Sequence, residues 1–337
     1  MPNDTLGRPL KDLRISVTDR CNFRCTYCMP LNEYSWIERG ELLTYEEIFR
    51  LAGLFVRLGV ERIRVTGGEP LVRRRLDVLI RSLASLEGIQ DLSLTTNGAL
   101  LAEQAEALRA AGLKRINLSL DTLEAAKFRR ITQRGELSEV LKGLEAAERC
   151  GFYPIKINAV IERGVNEDEI VPLAEFARAR GLTLRYIEFM DVGNANQWRM
   201  EKVVGKKEIL ATLAARFPLR EARRADTSSP AVNYEFADGG GAFGVIASVT
   251  EPFCRDCDRA RLTADGKLVT CLFAQQGHDL KSLLRAGASD RELMEVIASL
   301  WRQRADRYSE ERLVALQSPS GYEAQRHAKM EMIVLGG

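Results

Sequence analysis

The chain lacks any long apolar run, and neither sign of charge is in clear excess. No stretch approaches the roughly 18 consecutive apolar residues that a membrane span needs, and the first residues lack the apolar segment and cleavage site of a secretion signal. We therefore expect a cytoplasmic protein that does not associate with a membrane. Lys and Arg number 49 against 47 Asp and Glu, so a nucleic acid is not the expected partner for the surface as a whole. A local basic pocket is compatible with this balance.

Low-complexity segments and long-period repeats are also lacking. With 45% apolar and 28% charged residues, the composition is that of an ordinary globular protein, which excludes the disordered and fibrous classes. The length of 337 residues fits a large α/β barrel with a smaller appendage.

Short β-branched runs alternate with amphipathic stretches over the first part of the chain. The predicted strands cover residues 13–18, 62–66, 91–95, 115–120, 155–160 and 183–189, and the predicted helices cover residues 44–58, 76–86, 101–111, 138–150 and 167–180. Thr44 and Glu47 have the spacing of a capping box at the start of the first helix. Strict strand and helix alternation predicts a parallel sheet, either open or curved into an incomplete barrel, with its working groups at the carboxyl ends of the strands.

The alternation stops near residue 190. A helix at residues 206–217, a glycine-rich turn at residues 239–241 and a second group of cysteines follow. We therefore predict one domain at residues 1–190 and a second region at residues 191–337.

Six of the seven cysteines form two groups of three, which points to metal rather than to disulfides. Cys150, the seventh, is expected to be a small buried apolar residue. Cys21, Cys25 and Cys28 directly follow the first predicted strand. Three thiolates on one loop bind three irons of a four-iron cube and leave the fourth iron open to a small molecule. A zinc site that takes a fourth ligand from elsewhere is the alternative.

The spacing of this loop, with Tyr27 before its last cysteine, resembles the signature loop of the radical S-adenosylmethionine superfamily. The resemblance implies an incomplete (β/α)6 TIM-like barrel, and an open iron that binds S-adenosylmethionine and cleaves it to a 5′-deoxyadenosyl radical. The segment Thr-Gly-Gly-Glu-Pro at residues 66–70 resembles the superfamily's motif for the methionine amino group. Residues 95–98 and 119–121 offer hydroxyl and acidic groups at the next strand ends.

The second group is Cys254, Cys257 and Cys271. His278 would complete a zinc site with these thiols, whereas a second open four-iron cluster is the alternative. Arg259 and Arg261 are two residues apart, so both point to the same side of an extended chain. Two guanidinium groups beside a metal indicate an anionic ligand, because their planar forks match phosphate oxygens.

The second spacing, the Arg-Ala-Arg segment and the terminal Gly-Gly together resemble one family within the superfamily. This is the MoaA family, the GTP 3′,8-cyclases of molybdenum cofactor biosynthesis. The resemblance implies S-adenosylmethionine and two [4Fe–4S] clusters as cofactors, the second cluster binding the guanine base. It also implies that GTP becomes 3′,8-cyclo-7,8-dihydro-GTP after a hydrogen atom leaves C3′ and the carbon radical attacks C8.

The same resemblance assigns roles to individual residues. The expected GTP contacts are Arg14, Arg64, Thr95, Lys156, Arg259, Ala260 and Arg261, of which Arg14, Arg259 and Arg261 are the catalytic candidates. The S-adenosylmethionine site is expected to contain Tyr27, Gly68, Ser119 and Met190. Gly336 and Gly337 resemble a tail that reaches into the active site.

The family resemblance further implies a homodimer, an electron donor that the sequence does not identify, and hand-over of the product to cyclic pyranopterin monophosphate synthase. Two other functions fit the same residues. One is a radical S-adenosylmethionine peptide maturase with an auxiliary cluster, and the other is a non-catalytic iron–sulfur or zinc-stabilised nucleotide-binding protein.

Overall fold

Parallel strands that neighbour one another in sequence order form the centre of the fold. They are β1 (Asp12–Ser16), β2 (Arg62–Thr66), β3 (Asp91–Thr96), β4 (Arg115–Ser119), β5 (Ile155–Ile161) and β6 (Thr183–Glu188). The structure is a computed structural model that describes residues 1–29, 34–194, 196–222, 228–318 and 321–336. All six strands were predicted from the sequence, each to within about two residues at either end.

Helices follow the strands as the alternation predicts. They are α1 (Tyr45–Arg57), α2 (Leu76–Ala84), α3 (Leu101–Ala110), α4 (Ala125–Thr132), α5 (Leu137–Arg149) and α6 (Ile170–Ala179). The predicted capping box is confirmed, since the Thr44 side chain accepts from the Glu47 N–H and the Glu47 carboxylate accepts from the Thr44 N–H. Such a cap contributes about 1 kcal/mol. Helix α4 was not predicted.

The chain beyond residue 190 extends both edges of the same sheet. The elements there are α7 (Lys206–Ala214), β7 (Leu219–Glu221), β8 (Val232–Phe236), β9 (Ala242–Ile246), β10 (Arg259–Leu262), β11 (Lys267–Val269), β12 (His278–Asp279), α8 (Lys281–Arg285), α9 (Asp290–Arg302), α10 (Tyr308–Gln317) and α11 (Met332–Leu335). At one edge β9 pairs parallel to β6, and at the other β10 pairs parallel to β1.

The result is an α/β fold with an incomplete barrel, as predicted, and a C-terminal extension that shares its sheet. The domain division at residue 190 stays a prediction, because the sheet is continuous across it. In the described part of the chain, no helix has the length and apolar character needed to cross a membrane.

One face of the sheet packs against the helices and forms the main core. Alternate strand residues such as Leu13, Ile63, Leu94, Ile116 and Ile157 are at most 1% exposed in one apolar cluster. Burying each such side chain contributes about 1.5–3 kcal/mol. Successive strand residues point to opposite faces, so the other face is free for other chemistry.

Candidate active site

The second face of the sheet is polar and basic. Arg14 pairs in register with Arg64, and Asn158 pairs with Arg185, so the side chains of each pair share a face. Strand register places on this face the charged residues Asp12, Arg62, Asp91 and Arg115, together with Arg14, Arg64, Ser93, Thr95, Asn117, Lys156, Asn158, Arg185, Arg259 and Arg261. The fold therefore brings all the predicted GTP contacts except Ala260 to one surface. Ala260 is fully buried on the opposite face of β10.

Much of this positive charge has no counterion among the described residues. The acids on the face, Asp12 and Asp91, pair with Arg62 and Arg115 instead. Within the described residues, Nε of Arg14, Arg64 and Arg185, Oγ1 of Thr95 and Oγ of Ser93 are buried without a hydrogen-bond partner. Buried polar groups are normally satisfied. The face therefore has the hydrogen-bond donors of a binding site for a polar ligand.

The electrostatics of the face favour a negatively charged ligand. Burial, together with repulsion from Arg185, Arg115 and Arg64, lowers the pKa of Lys156 to about 7. Burial likewise lowers the pKa of Arg185 to about 9 and the pKa of Arg261 to about 10. Cations crowded in this way are stabilised by a bound polyanion.

The first cysteine group follows the carboxyl end of β1. Burial raises the pKa of Cys21 to about 11 and that of Cys28 to about 12, and it raises the pKa of Cys25 well above its usual value. Cys21 also contributes to the raised pKa of Cys25 and of Cys28. Thiolates in this position need a positive partner, and the irons of a cluster supply one. The donor set fits the [4Fe–4S] cluster that the sequence predicts.

Gly67 and Gly68 hold this loop in place. The Gly68 N–H donates to the Thr18 carbonyl at 2.6 Å, and a Cβ on Gly68 would lie 2.4 Å from the carbonyl oxygen of Arg20. This segment is expected to bind the methionine amino group, and in the structure the close neighbour of Gly68 is the backbone that leads into Cys21. A role of Gly68 at S-adenosylmethionine stays a prediction.

The other predicted S-adenosylmethionine residues lie at or just beyond the carboxyl ends of strands. The Tyr27 hydroxyl donates to Asp121 Oδ2 at 2.8 Å, and Asp121 Oδ1 accepts from the Val160 N–H at 2.8 Å. Burial raises the pKa of Asp121 to about 6. Ser119 ends β4, and Met190 packs with Tyr27 against one small apolar cluster. Tyr27 and Ser119 therefore lie on the side of the first cysteine group, whereas Met190 also lines the pocket of the second group.

The second cysteine group lies at the opposite end of the strands, which is the end where their amino termini are. Cys254 and Cys257 precede β10, and Cys271 follows the antiparallel β11, so all three are at the amino edge of β10. The three thiols line one pocket, together with Arg259 and Arg261. This arrangement fits a second cluster held by three cysteines.

The zinc alternative at this site is not supported by the geometry. His278 is exposed on β12, and it is not among the side chains around the pocket of the second group. Across the described ranges, no three His, Cys, Asp or Glu side chains lie close enough together to bind a single metal ion. A four-iron cube is wider than one ion, so its cysteines stand further apart.

Arg259 and Arg261 point to one side of β10, as predicted, and each has a different partner. Arg259 Nη2 donates to Cys257 Sγ at 3.1 Å. Arg261 Nη1 donates to the Gly336 carbonyl at 2.8 Å. Although burial opposes ionisation, Arg259 and Arg304 together lower the pKa of Cys257 to about 6. Thiolate character at Cys257 favours metal binding.

The C-terminal tail enters the polar face. Gly336 has a φ of +71°, and a Cβ there would lie 2.3 Å from Thr66 Cγ2 and 2.7 Å from Ser16 Oγ. Both neighbours lie at the carboxyl ends of their strands. The tail therefore has a defined place up to Gly336, whereas Gly337 lies outside the described residues.

One positional expectation was wrong. The working groups were all expected at the carboxyl ends of the strands, but Arg14 and Arg64 lie within β1 and β2, and Lys156 and Arg259 lie near the amino ends of β5 and β10. The reason is that the C-terminal strands bring the second cysteine group to the amino ends of the central strands. The basic residues then occupy the space between the two groups.

Relatives that match over nearly the whole chain decide the family. A protein named GTP 3′,8-cyclase from Acidothermus cellulolyticus is 48% identical over 99% of this chain and 98% of its own length. A protein of the same name from Xanthomonas campestris is 49% identical over 99% of this chain and 97% of its own length. The chain belongs to the GTP 3′,8-cyclase family.

Family models agree with this membership. The Radical SAM superfamily model matches residues 15–177, and the Molybdenum Cofactor Synthesis C model matches residues 182–310. As a member of the cyclase family, the chain is a radical S-adenosylmethionine enzyme whose cofactors are S-adenosylmethionine and two [4Fe–4S] clusters.

Solved structures show the fold alone. Streptococcus suis SuiB matches with a TM-score of 0.58 at 16% identity, over 88% of this chain and 66% of that chain. SuiB bound to S-adenosylmethionine matches with a TM-score of 0.57 at 19% identity, over 87% of this chain and 68% of that chain. The fold of this chain is thus shared with SuiB.

Several residues of the polar face were not predicted from the sequence. They are Ser93, Arg115, Asn117, Asn158 and Arg185. A signal for them existed, because Arg-Ile-Arg in β2 and Arg-Ile-Asn in β4 alternate polar and apolar residues. Buried parallel strands are usually apolar on both faces. Alternation in such strands therefore marks a polar interior.

Proposed function

We propose that this protein is a GTP 3′,8-cyclase that converts GTP to 3′,8-cyclo-7,8-dihydro-GTP in the first step of molybdenum cofactor biosynthesis. One observation carries the proposal. A basic face lies between two cysteine groups at opposite ends of the strands of one sheet, and its Arg14, Arg64, Lys156 and Arg185 form no ion pair with any described residue. A nucleoside triphosphate supplies the negative charge that this face lacks.

In this proposal, the guanine base and the triphosphate of GTP bind at opposite ends of the face. The guanine base is placed at the second cysteine group, next to Arg259 and the backbone of Ala260. The triphosphate is placed against Arg64 and Lys156, with Thr95 Oγ1 as a further hydrogen-bond donor. Support comes from the buried, unpartnered atoms Arg64 Nε and Thr95 Oγ1 and from the lowered pKa of Lys156.

The protein's part in the reaction is placement. S-adenosylmethionine would be held at the first cluster beside Tyr27, Gly68, Ser119 and Met190, and it would supply the radical for removal of a hydrogen atom from C3′ ahead of the attack on C8. Arg14 lies in the middle of β1, between the two cysteine groups, and orients the ribose. Arg261 holds the Gly336 carbonyl, so the tail closes the face against water. Holding reacting atoms close in a dry site lowers the barrier.

A basic surface supports an acidic electron-donor protein as a partner. Arg20 and Arg24 are in or beside the first cysteine loop, and Arg20 shares a surface groove with Arg39 and Arg74. In the described part of the chain, none of these four arginines forms an ion pair. Charge complementarity speeds encounter with an acidic partner.

The remaining partners of the proposal follow the family. We include a homodimer, hand-over of the product to cyclic pyranopterin monophosphate synthase, and a cytoplasmic location. The location is supported by the seven unpaired cysteines, which suit a compartment where thiols stay reduced.

Anaerobic turnover tests the proposal. The reconstituted enzyme is incubated with S-adenosylmethionine, a reductant and GTP, and 5′-deoxyadenosine and the cyclised nucleotide are measured. Both products are expected in equal amounts. Arg259→Ala and Arg261→Ala are expected to abolish turnover with both clusters retained, while Arg81→Ala, at an exposed position of α2, is the control.

Two results would contradict the proposed function. Formation of 5′-deoxyadenosine with a peptide and never with GTP would favour the peptide maturase. Four irons and one zinc per chain, instead of about eight irons, would make the second site structural. Full turnover after deletion of Gly336 and Gly337 would remove the tail from the site.

A further inference from the structure

Two arginines outside the substrate face surround the second cysteine group. Arg8 lies in the segment before β1, and Arg304 follows α9. Both are buried, at 3% and 5% exposure, and both line the pocket that contains the three thiols. They come from opposite ends of the chain, so the fold has assembled them at this place.

Their contacts are directed at the cysteine loop. Arg304 Nη1 donates to the Cys257 carbonyl at 2.6 Å, and Arg304 Nη2 lies 3.2 Å from Cys257 Sγ. Arg8 Nη1 donates to the Cys254 carbonyl at 2.7 Å. Arg8 Nη2 is buried in the same pocket with no partner among the described residues. One donor thus faces a ligand sulfur already, and a second is left to donate.

These two arginines differ from the cations of the substrate face, because their charge is already compensated. Arg8 Nε pairs with Asp4 Oδ2 at 2.5 Å, and Arg304 contacts Asp4 at 3.4 Å and Asp306 at 3.3 Å. The Asp4 side chain is fully buried between them. Arginines held by these ion pairs are not available to bind the triphosphate of GTP.

We propose that Arg8 and Arg304 are positioning residues of the second cluster, which donate N–H groups to its sulfur atoms and make it easier to reduce. Hydrogen bonds to cluster sulfur stabilise the reduced, more negative state and so raise the potential. The inference rests on the second cluster of the proposed function, and it adds two residues that the GTP contacts do not include. Asp4 in turn orients both arginines.

Redox titration of the holoenzyme tests this inference. Arg304→Met is reconstituted and titrated, with the two clusters followed separately by electron paramagnetic resonance. The second cluster's midpoint potential is expected to shift negative while the first cluster's potential is unchanged. Arg304→Lys, which keeps the charge but not the fork, is expected to shift less. Arg302→Met changes an exposed arginine two positions away and is expected to shift neither potential.

Iron content separates the two ways to fail. A wild-type enzyme with about four irons would contradict the second cluster itself and, with it, the proposed function. About eight irons with an unmoved second potential in both Arg304→Met and Arg8→Met would overturn the positioning role alone. If Arg304→Met loses the second cluster, Arg304→Lys is titrated in its place, and an unmoved potential there overturns the proposal in the same way.

Discussion

Lys156 lies among Arg64, Arg115 and Arg185, where burial and these charges lower its pKa to about 7. A bound triphosphate stabilises the protonated amine, so the pKa of Lys156 in the complex is higher than in the free enzyme. Below about pH 6 the amine is protonated in both states. Above the free pKa, GTP binding must take up a proton, and GTP affinity is expected to fall as the pH rises.

Calorimetry in buffers of different ionisation enthalpy measures this uptake. At about pH 8.5 we expect close to one proton taken up per GTP bound, and at about pH 6 almost none. The uptake should disappear in Lys156→Met, which binds GTP more weakly. Buffer-independent heats at the higher pH would show that Lys156 does not contact the triphosphate.

Arg185 is a residue of the polar face that was not predicted from the sequence, and the structure makes it a further candidate for GTP binding. It is 9% exposed, and its Nε has no partner within the described residues. A hydrogen bond from a charged group contributes about 1.5–3 kcal/mol. Arg185→Met is therefore expected to weaken GTP binding roughly ten- to hundredfold.

Equilibrium binding of GTP under anaerobic conditions measures the effect of Arg185→Met, and Arg81→Met, an exposed change on α2, is the matched control. S-adenosylmethionine binding should change less than GTP binding, because Arg185 lies two strands away from Ser119 of that site. Equal GTP affinities in Arg185→Met and the wild type would place the triphosphate elsewhere.

Among the connecting elements, the turn after β2 has a steric requirement that backbone atoms impose. A Cβ on Gly68 would lie 2.4 Å from the Arg20 carbonyl and 2.5 Å from the Asp19 carbonyl. Both are backbone atoms, so no side chain can rotate away. Gly68→Ala is expected to displace the start of the cysteine loop, and the iron content after reconstitution is expected to fall from about eight to about four.

Gly40→Ala is the control for this change, because a Cβ at Gly40 meets nothing within 4 Å. Iron analysis and the spectrum of the reduced protein identify which cluster is lost. Retention of both clusters in Gly68→Ala would mean that the loop tolerates the shift.

The same elements show what the sequence predicts and what it does not. The six central strands and the helix cap at Thr44 are encoded within a few residues of each other, so local pattern was sufficient. The pairing of β10 with β1 joins Arg259 to Asp12, across most of the chain length. No local sequence pattern predicts such a contact. The working groups were therefore expected at the carboxyl ends of the strands, whereas the basic residues lie within the strands or near their amino ends.

In the candidate site, too, some residues could be predicted from the sequence and others could not. Both cysteine groups and the arginines of β10 could be predicted, because metal ligands have characteristic spacing. Arg185 and Arg304 could not, since each gains its role from neighbours that are distant in sequence. Arg304 contacts Cys257 through the fold alone.

For the molecule as a whole, one buried carboxylate joins the barrel to the C-terminal tail. Asp191, just beyond β6, forms ion pairs with Arg312 of α10 and with Lys329, the latter at 3.2 Å. The hydroxyls of Tyr308 and Tyr322 also donate to it. Burial opposes ionisation, but the cations Arg312 and Lys329 outweigh it and hold the pKa of Asp191 below its usual value. The network fixes the segment that ends in Gly336.

Asp191→Asn removes the charge and leaves two buried cations without a counterion. Breaking a buried pair from one side costs about 3–5 kcal/mol, which we expect to appear as release of the tail. Trypsin should then cleave after Lys329 faster than in the wild type, as followed by mass spectrometry. Asp238→Asn, which removes a partly exposed pair with Arg178, should leave that rate unchanged, since exposed pairs contribute about 0–1 kcal/mol. Because Arg261 holds the Gly336 carbonyl, a released tail should also weaken GTP binding. Unchanged cleavage in Asp191→Asn would mean that the tail is held by its other contacts alone.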